Sequence, residues 1–275
     1  MKISVIVSSF NRGNLLEKNL TRLSMLSLPD EIVIVDDGSS DNTREVADKF
    51  KELLKGKTEV KYIYRDYPHW DSCSIPKNIG LKNATGDILI YTEPENIFID
   101  DVVKIARELP EDKYFYQKWV YFGKGIAPAF PIESLSDPMK YLEEFGYNEW
   151  VSGTIDVHGG AITYTKANMV SPWCLIVRKK DLMHINGWDE EMSALNGGGA
   201  WGFDDIDLIT RLRCSGINGE QANLSLIHQW HDRPPQHIQD SWKPNEDLMN
   251  AKKNKNGEYR DECIIANQYR EWGKL

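Results

Sequence analysis

Four clusters of polar residues carry the types and spacings that chemistry needs. The first is Val35-Asp36-Asp37-Gly38-Ser39-Ser40. A carboxylate there can accept the N3–H of a uracil or a ribose hydroxyl. The same run also reads as a tight turn with Ser40 or Asp41 as a helix cap, and both readings stay open. The second is Tyr91-Thr92-Glu93-Pro94-Glu95-Asn96. Acids at i and i+2 can reach one divalent cation, and Mg2+ or Mn2+ takes oxygen ligands while leaving positions for phosphate oxygens. The competing reading is an acidic loop in solvent. The third runs from Gly187-Trp188-Asp189-Glu190 to Gly197-Gly198-Gly199-Ala200-Trp201-Gly202-Phe203-Asp204-Asp205-Ile206-Asp207. Here Trp201 can stack on a sugar face, and Asp205 can take the proton of an attacking hydroxyl. Glycines this dense before a helix suit a lid or a close backbone approach to a ligand. More blandly, Asp204 and Asp205 only offset the helix dipole. The fourth is His228-Gln229-Trp230-His231, where either imidazole can complete a metal shell.

Positioning these clusters requires regular elements before them. Ile3 to Val7 and Ile32 to Val35 are largely β-branched runs that predict buried strands, and Val60 to Tyr64 and Ile88 to Tyr91 read as a third and a fourth strand. Between them, Leu15, Leu16, Leu20, Leu23 and Leu26 recur with helical spacing, as do Val46, Ala47, Phe50, Leu53 and Leu54. Gly56 should stop the second helix, and a third is expected over Ile75 to Asn83. This alternation implies an α/β fold with a parallel, doubly wound sheet and right-handed crossovers. Ligands bind such sheets beyond the carboxyl ends of the strands, where Ser8-Ser9, Asp36-Asp37 and Glu93-Pro94-Glu95 fall. The second half is less regular. Residues 123–170 read as long loops with a short helix over Pro138 to Phe145. A strand is expected over Ser171 to Val177, a helix over Asp204 to Cys214, a strand over Leu224 to Ile227, and a helical tail from Trp242. No linker is evident, so the chain reads as one domain, residues 1–275. Residues 1–100 form its nucleotide-binding half, 101–240 an acceptor and catalytic half, and 241–275 a C-terminal helical tail.

Composition narrows the class. With 33 Lys+Arg against 42 Asp+Glu the formal net charge is −9. That disfavours nucleic acid as a partner, because such binding needs positive surface to release counterions. An anionic nucleotide remains acceptable if a cation stands between it and the acids. Cys73, Cys174, Cys214 and Cys263 form no C-x-x-C pair and are expected as free thiols in a reducing compartment. The N-terminus turns polar by Asn11 and no run has membrane-spanning length, so a cytoplasmic protein is expected.

Together these segments resemble family 2 of the glycosyltransferases, enzymes with the GT-A fold. SVIVSSFNR resembles that family's first strand and loop, EIVIVDDGSSDNT its nucleotide-binding segment, and PKNIGLKNATGDILIYTEPEN the approach to its D-x-D metal motif. GWDEEM and WGFDDIDLITRL resemble elements of galactosyl- and N-acetylgalactosaminyltransferases, and His-x-Trp-His a late segment that supplies a metal-binding histidine. The match is collinear over roughly residues 1–235. It implies a Rossmann-like, mostly parallel sheet flanked by helices, with an irregular acceptor-binding half. It also implies an inverting enzyme that moves a sugar from a nucleotide-sugar to a hydroxyl of a glycan or related acceptor. The donor would be a UDP-linked hexose or N-acetylhexosamine, and the cofactor Mn2+ or Mg2+. Carried over, Ser8 and Asp37 would meet the base, with Asp36, Phe10 and Arg12 nearby. Lys77 would sit near ribose or phosphates, and Glu93, Trp201 and Gly202 in the donor site. Glu93 and Glu95 would stand for D-x-D with Glu95 on the metal, Asp205 would be the general base with Asp204 a second catalytic residue, and His228 or His231 would complete the metal shell. Two departures stand out: D-x-D reads Glu-Pro-Glu, and the family's Arg-Asn reads Lys77-Asn78. Two alternatives compete. In a sugar nucleotidyltransferase, SSFNRGN would have to serve as a basic phosphate loop, a poor match. The other is a nucleotide- or carbohydrate-binding protein with a degenerate site.

Overall fold

The computed structural model describes residues 1–67, 73–123, 131–140, 147–151, 155–156, 161–162, 173–192, 202–231 and 242–275. Its first part alternates as expected. Strand β1 (Ile3–Ser9), helix α1 (Gly13–Ser24), β2 (Glu31–Asp36), α2 (Thr43–Leu53), β3 (Glu59–Tyr64), α3 (Ser74–Asn83) and β4 (Ile88–Thr92) follow in order. β1 pairs in parallel with β2 and with β4, and β2 with β3.

Alternation along the strands explains why helices cover both faces. Ile3, Val5 and Val7 of β1 and Ile32 and Ile34 of β2 pack in one core, with Leu16, Leu20 and Leu23 of α1 and Val46, Ala47 and Phe50 of α2. Ile6 of β1 and Val33 and Val35 of β2 pack in the other, with Ile75 and Ile79 of α3. A strand buried on both faces has no polar alternation, which is what the β-branched runs predict.

Asp41 ties two helix starts together. Its Oδ1 accepts from Thr43 N at 3.0 Å, and its Oδ2 accepts from Gly13 N at 2.8 Å. The N-cap position of α2 is Asn42 rather than Ser40 or Asp41, but Asp41, one residue earlier, satisfies the first backbone N–H of both helices.

Beyond β4 the strands are β5 (Asn96–Phe98), β6 (Lys113–Tyr116), β7 (Trp119–Gly123), β8 (Tyr147–Val151), β9 (Ile155–Asp156), β10 (Ala161–Ile162) and β11 (Cys174–Arg178), followed by β12 (Asn218–Gln221) and β13 (Ser225–His228). The helices are α4 (Val102–Ala106), α5 (Lys179–His184), α6 (Asp204–Cys214) and α7 (Lys243–Ala251). The large sheet has seven strands in the order β12-β6-β11-β4-β1-β2-β3. It is mixed, because β11 runs antiparallel to both β4 and β6. A four-stranded sheet, β5-β13-β7-β8, stands beside it.

The structure completes and qualifies the sequence reading of the second half. The stretch read as loops contains β8 and the β9–β10 pair. In the expected 138–145 helix, residues 138–140 are helical and the rest lies outside the described residues. The tail is helical only through α7 and then turns irregularly. All four cysteines are free thiols. Among the described residues no helix is long and apolar enough to cross a membrane.

Candidate active site

The register brings the polar clusters together. Ser9 lies opposite Asp36 and Val7 opposite Thr92, so the carboxyl ends of β1, β2 and β4 share one edge of the sheet. On this edge the Asp-Asp pair splits its duties. Asp36 is buried, and both its oxygens are engaged: Oδ1 accepts from Ser39 N at 2.8 Å and Oδ2 from the Tyr62 hydroxyl at 2.6 Å. It holds the turn, whose Gly38 needs a φ of +92°. Asp37 instead meets the Arg65 guanidinium, Oδ1 to Nη1 at 2.7 Å, in a buried ion pair. Arg65 in turn lies over the Tyr67 ring at 4.1 Å. Nothing in the sequence motifs singles out Arg65. The one available signal is a cation just past the carboxyl end of β3.

Asn11 laces this turn to the loop after β1, donating its N–H to Ser39 Oγ and accepting from Ser40 N, each at 2.8 Å. Its φ of +51° aims the chain into α1. Phe10, in the same loop, is half-buried.

A pocket opens between β1, β4, α3 and α6, lined by Ser8, Lys77, Glu93, Trp173, Trp188 and Asp205. Lys77 Nζ donates to Asp205 Oδ1 at 2.8 Å and lies 3.9 Å from Asp204 Oδ2. The Trp188 indole N–H donates to the same Asp205 oxygen at 3.1 Å, and Trp188 packs on Tyr91 with ring centroids 4.6 Å apart. Burial alone would lower the Lys77 ammonium, but Asp205 and Asp204 outweigh it and hold it well above its ordinary value. Asp204 shows the opposite balance. Burial first, then Asp205, push its carboxyl up to about 6 against the pull of Lys77. Immediately before it stand Gly202 with φ +80° and Phe203 with φ +66°, a left-handed turn that delivers both acids to the pocket mouth. A Cβ on Gly202 would meet open space, so the glycine answers the backbone angle.

Glu93 is the most strained acid of the group. Its carboxylate makes no hydrogen bond or ion pair with any described residue. Burial first, then Glu95, raise it to about 8; Lys77 opposes, and Asp205 and Asp204 add to the rise. The backbone around it is pinned. Asn19 donates to the carbonyls of Glu93 at 3.2 Å and Asn96 at 2.7 Å, and Gln229 N donates to the Glu95 carbonyl at 2.9 Å.

The remaining predicted metal ligands gather next door. Glu95 Oε1 accepts from Arg12 Nε at 3.0 Å and lies 3.8 Å from His231 Nε2. Arg12 Nη2 reaches His231 Nδ1 at 3.2 Å. The His228 and His231 rings are 5.3 Å apart, and His228 meets the edge of Trp173, a pocket wall, at 5.9 Å. Among the described residues, no three His, Cys, Asp or Glu side chains already surround one point as metal ligands. Ser8, Lys77, Glu93 and Asp205 thus share one pocket, coupled to Asp204 and Glu95, with Arg12, His231 and His228 alongside. Asp37 sits with Arg65, and Asp36 supports the turn. Trp201 and the glycines at 197–199 lie outside the described residues.

Comparison with known proteins agrees with this geometry. A family model described as glycosyl transferase family 2 matches residues 4–184. The chain is 24% identical over 231 residues to validoxylamine A glucosyltransferase of Streptomyces hygroscopicus subsp. jinggangensis (strain 5008), covering 78% of this chain and 52% of that protein. It is 29% identical over 264 residues to the chondroitin synthase of Pasteurella multocida (strain Pm70), covering 85% and 25%. It therefore spans about half of the first relative and a quarter of the second. Among solved structures, S. aureus TarS 1-349 in complex with UDP superposes with a TM-score of 0.53 at 18% identity, over 93% of this chain and 68% of that one. The mannosyltransferase PcManGT from Pyrobaculum calidifontis, in complex with GDP-Man and Mn2+, gives 0.53 at 16% identity, over 89% and 60%. At those identities the likeness is one of fold.

Proposed function

The chain belongs to glycosyl transferase family 2 and has the GT-A fold, and from that premise we propose that it is an inverting transferase acting on a nucleoside-diphosphate sugar. The donor in this reading is a UDP-linked hexose or N-acetylhexosamine, and the acceptor a hydroxyl of a glycan or related molecule. The observation that carries it is the meeting of Lys77, Glu93 and Asp205 in one pocket at the carboxyl ends of β1 and β4. The likeness of GWDEEM and WGFDDIDLITRL to galactosyl- and N-acetylgalactosaminyltransferase elements favours UDP-Gal, UDP-GalNAc or UDP-GlcNAc as the donor. We read the chain as one domain with the halves expected above, working in the cytoplasm.

In this mechanism Asp205 accepts the proton of the acceptor hydroxyl as that oxygen attacks the anomeric carbon in line, and one displacement inverts the configuration. Lys77 and Trp188 both donate to Asp205 Oδ1, which fixes the plane of the carboxylate against rotation. Asp37, oriented by Arg65, is placed to accept from the base, and Ser8 lies in the pocket floor.

The residues fit a hard divalent cation. Glu93 is a part-buried carboxylate raised by burial and by neighbouring acids, the donor chemistry that Mg2+ or Mn2+ takes. Glu95 and Glu93, with His231 or His228, would hold it. When bound, it would supply charge to the departing diphosphate.

A second reading, a binding protein with a degenerate site, draws on the Arg12 guanidinium seated on Glu95. Screening nucleotide-sugar hydrolysis with Mn2+ and Mg2+, beside calorimetry with UDP, separates the two. The enzyme reading expects metal-dependent UDP binding, slow donor hydrolysis, and an Asp205→Asn variant that keeps UDP binding while losing turnover. UDP binding with no turnover of any donor leaves the binding protein. An Asp205→Asn variant at wild-type rate removes Asp205 as the base.

A further inference from the structure

The C-terminal segment reaches back into the protein behind Asp205. Lys252, just past α7, is buried and donates to two carboxylates at 2.6 Å, Asp189 Oδ2 and Asp207 Oδ1. Tyr259 adds its hydroxyl to Asp207 Oδ1 at 2.8 Å. The other oxygen of Asp207 accepts from Arg211 Nε at 2.7 Å, and Arg211 Nη1 donates to the Gly187 carbonyl at 2.8 Å. Two cations and two carboxylates therefore balance inside the protein. Burial alone would raise Asp207, but Arg211 and Lys252 overcome it and hold the carboxyl below its ordinary range.

These contacts bracket Trp188. The residue before it, Gly187, is held by Arg211, and the residue after it, Asp189, by Lys252. Its own N–H donates to Asn78 Oδ1 at 2.9 Å, and its carbonyl accepts from Asn267 of the C-terminal segment at 2.7 Å. The indole so fixed donates to Asp205. A surface ion pair does not need this arrangement. Exposed pairs are screened and weakly directional, whereas buried charges joined by several short hydrogen bonds have little freedom to move.

We propose that Lys252 is a positioning residue for sugar transfer: the buried ion set it completes fixes Trp188, and Trp188 fixes the carboxylate of Asp205. This rests on the reading of Asp205 as the base. Facing Asp205 are Lys77 from α3, Glu93 from the loop after β4, Asp204 on α6 itself and Trp188 from the loop after α5.

The test compares the wild type with three variants. Lys252→Met combined with Asp189→Asn removes one charge of each sign and leaves Asp207 balanced by Arg211. Lys252→Arg keeps the cation, and Tyr259→Phe removes a single hydrogen bond to Asp207. Hydrolysis of whichever UDP-sugar the wild type turns over best with Mn2+ gives kcat and KM. Calorimetry with UDP and a thermal melt report binding and folding. Expected for the double variant is a kcat lower by about tenfold or more at near-wild-type UDP affinity. The loss falls in kcat while KM stays near the wild-type value, because a misplaced base still lets the donor bind. Lys252→Arg recovers part of kcat, and Tyr259→Phe falls between. The proposal is overturned if the double variant loses activity only in step with its folded fraction, or if Lys252→Arg recovers no kcat. A wild type that binds UDP but hydrolyses no donor overturns the transferase reading and this inference together. A wild type that turns over donor while the double variant matches it overturns this inference alone.

Discussion

Replacing Glu93 with glutamine separates what the fold tolerates from what the site needs. The Glu93 carboxyl is raised from 4.5 to about 8, by burial first and then by Glu95. Below pH 4.5 it carries its proton in the folded and the unfolded chain alike, so it contributes no pH dependence. Between 4.5 and about 8 the folded chain keeps a proton that the unfolded chain has lost. The native state then binds more protons, and stability falls as pH rises. At ~1.4 kcal/mol per pH unit, that interval bounds the loss at ~5 kcal/mol. Lys77 is already counted in that value; because Glu93 is half-buried rather than buried, solvent screening reduces the bound to an expected ~2 kcal/mol. Asp204, raised to about 6, adds a loss of the same sign at lower pH, but it is present in both proteins and largely cancels in the comparison.

Urea denaturation of wild type and Glu93→Gln without metal, at about pH 4 and about pH 8.5, measures the difference. The two proteins should match at the lower pH, and the variant should be more stable by ~2 kcal/mol at the higher one. In the presence of UDP and Mn2+ the order reverses, because the wild type gains binding energy that the variant has lost. Equal stability at both pH values, or a variant weaker at the higher one, refutes the account of Glu93 as a carboxylate held at a cost to the fold.

Arg65→Ala leaves Asp37 buried without its cation and should lower stability at neutral pH by ~3 kcal/mol, with UDP affinity down about tenfold by calorimetry. Arg12→Gln takes a positive charge off Glu95 and His231, so Mn2+ should bind at least about tenfold tighter in the absence of nucleotide, read by calorimetry or by the Mn2+ electron-spin-resonance signal. Gly13→Ala would bring a Cβ to 2.8 Å from Thr43 N and 2.9 Å from Asn42 C, backbone atoms that cannot rotate away, and should cost ~2 kcal/mol in a urea titration.

How much was legible in the sequence follows from where each signal resides. β1, β2 and β4 are buried on both faces, so unbroken β-branched runs mark them. β12 is exposed along its whole length and pairs only at the sheet edge, so no hydrophobic period marks it. The four-stranded sheet is assembled from segments far apart in the chain, which a local window does not connect. The acids of the site were legible because strand ends and a helix start are local features. Their partners were not. Arg12 meets Glu95 across 83 residues and Lys252 meets Asp189 across 63, with no motif to pair them. The same limit explains why the Asp-Asp pair read as ambiguous: the turn role falls to Asp36 and the ion pair to Asp37, a division decided by Tyr62 and Arg65 on the neighbouring strand and just past it.

The partners also bear on why a cation should be needed at all. Among the described residues, a diphosphate approaching this edge meets three nearby cations, and each already serves a carboxylate: Lys77 serves Asp205, Arg65 serves Asp37 and Arg12 serves Glu95. Taking any of them for phosphate would leave a shielded acid without its counter-charge, which costs more than a surface ion pair returns. The burial and neighbouring acids that keep the proton on Glu93 to about pH 8 and raise Asp204 to about 6 mark the same edge as hostile to further negative charge. A divalent ion would answer both deficits, since it would take the place of the Glu93 proton beside Glu95 and supply charge to the phosphates. UDP should therefore bind at least about tenfold more weakly after chelation of divalent metal, at fixed ionic strength. Affinity unchanged by chelation would mean that one of the three ion pairs opens to receive the diphosphate, with Arg12, the most exposed of the three cations, the first to examine.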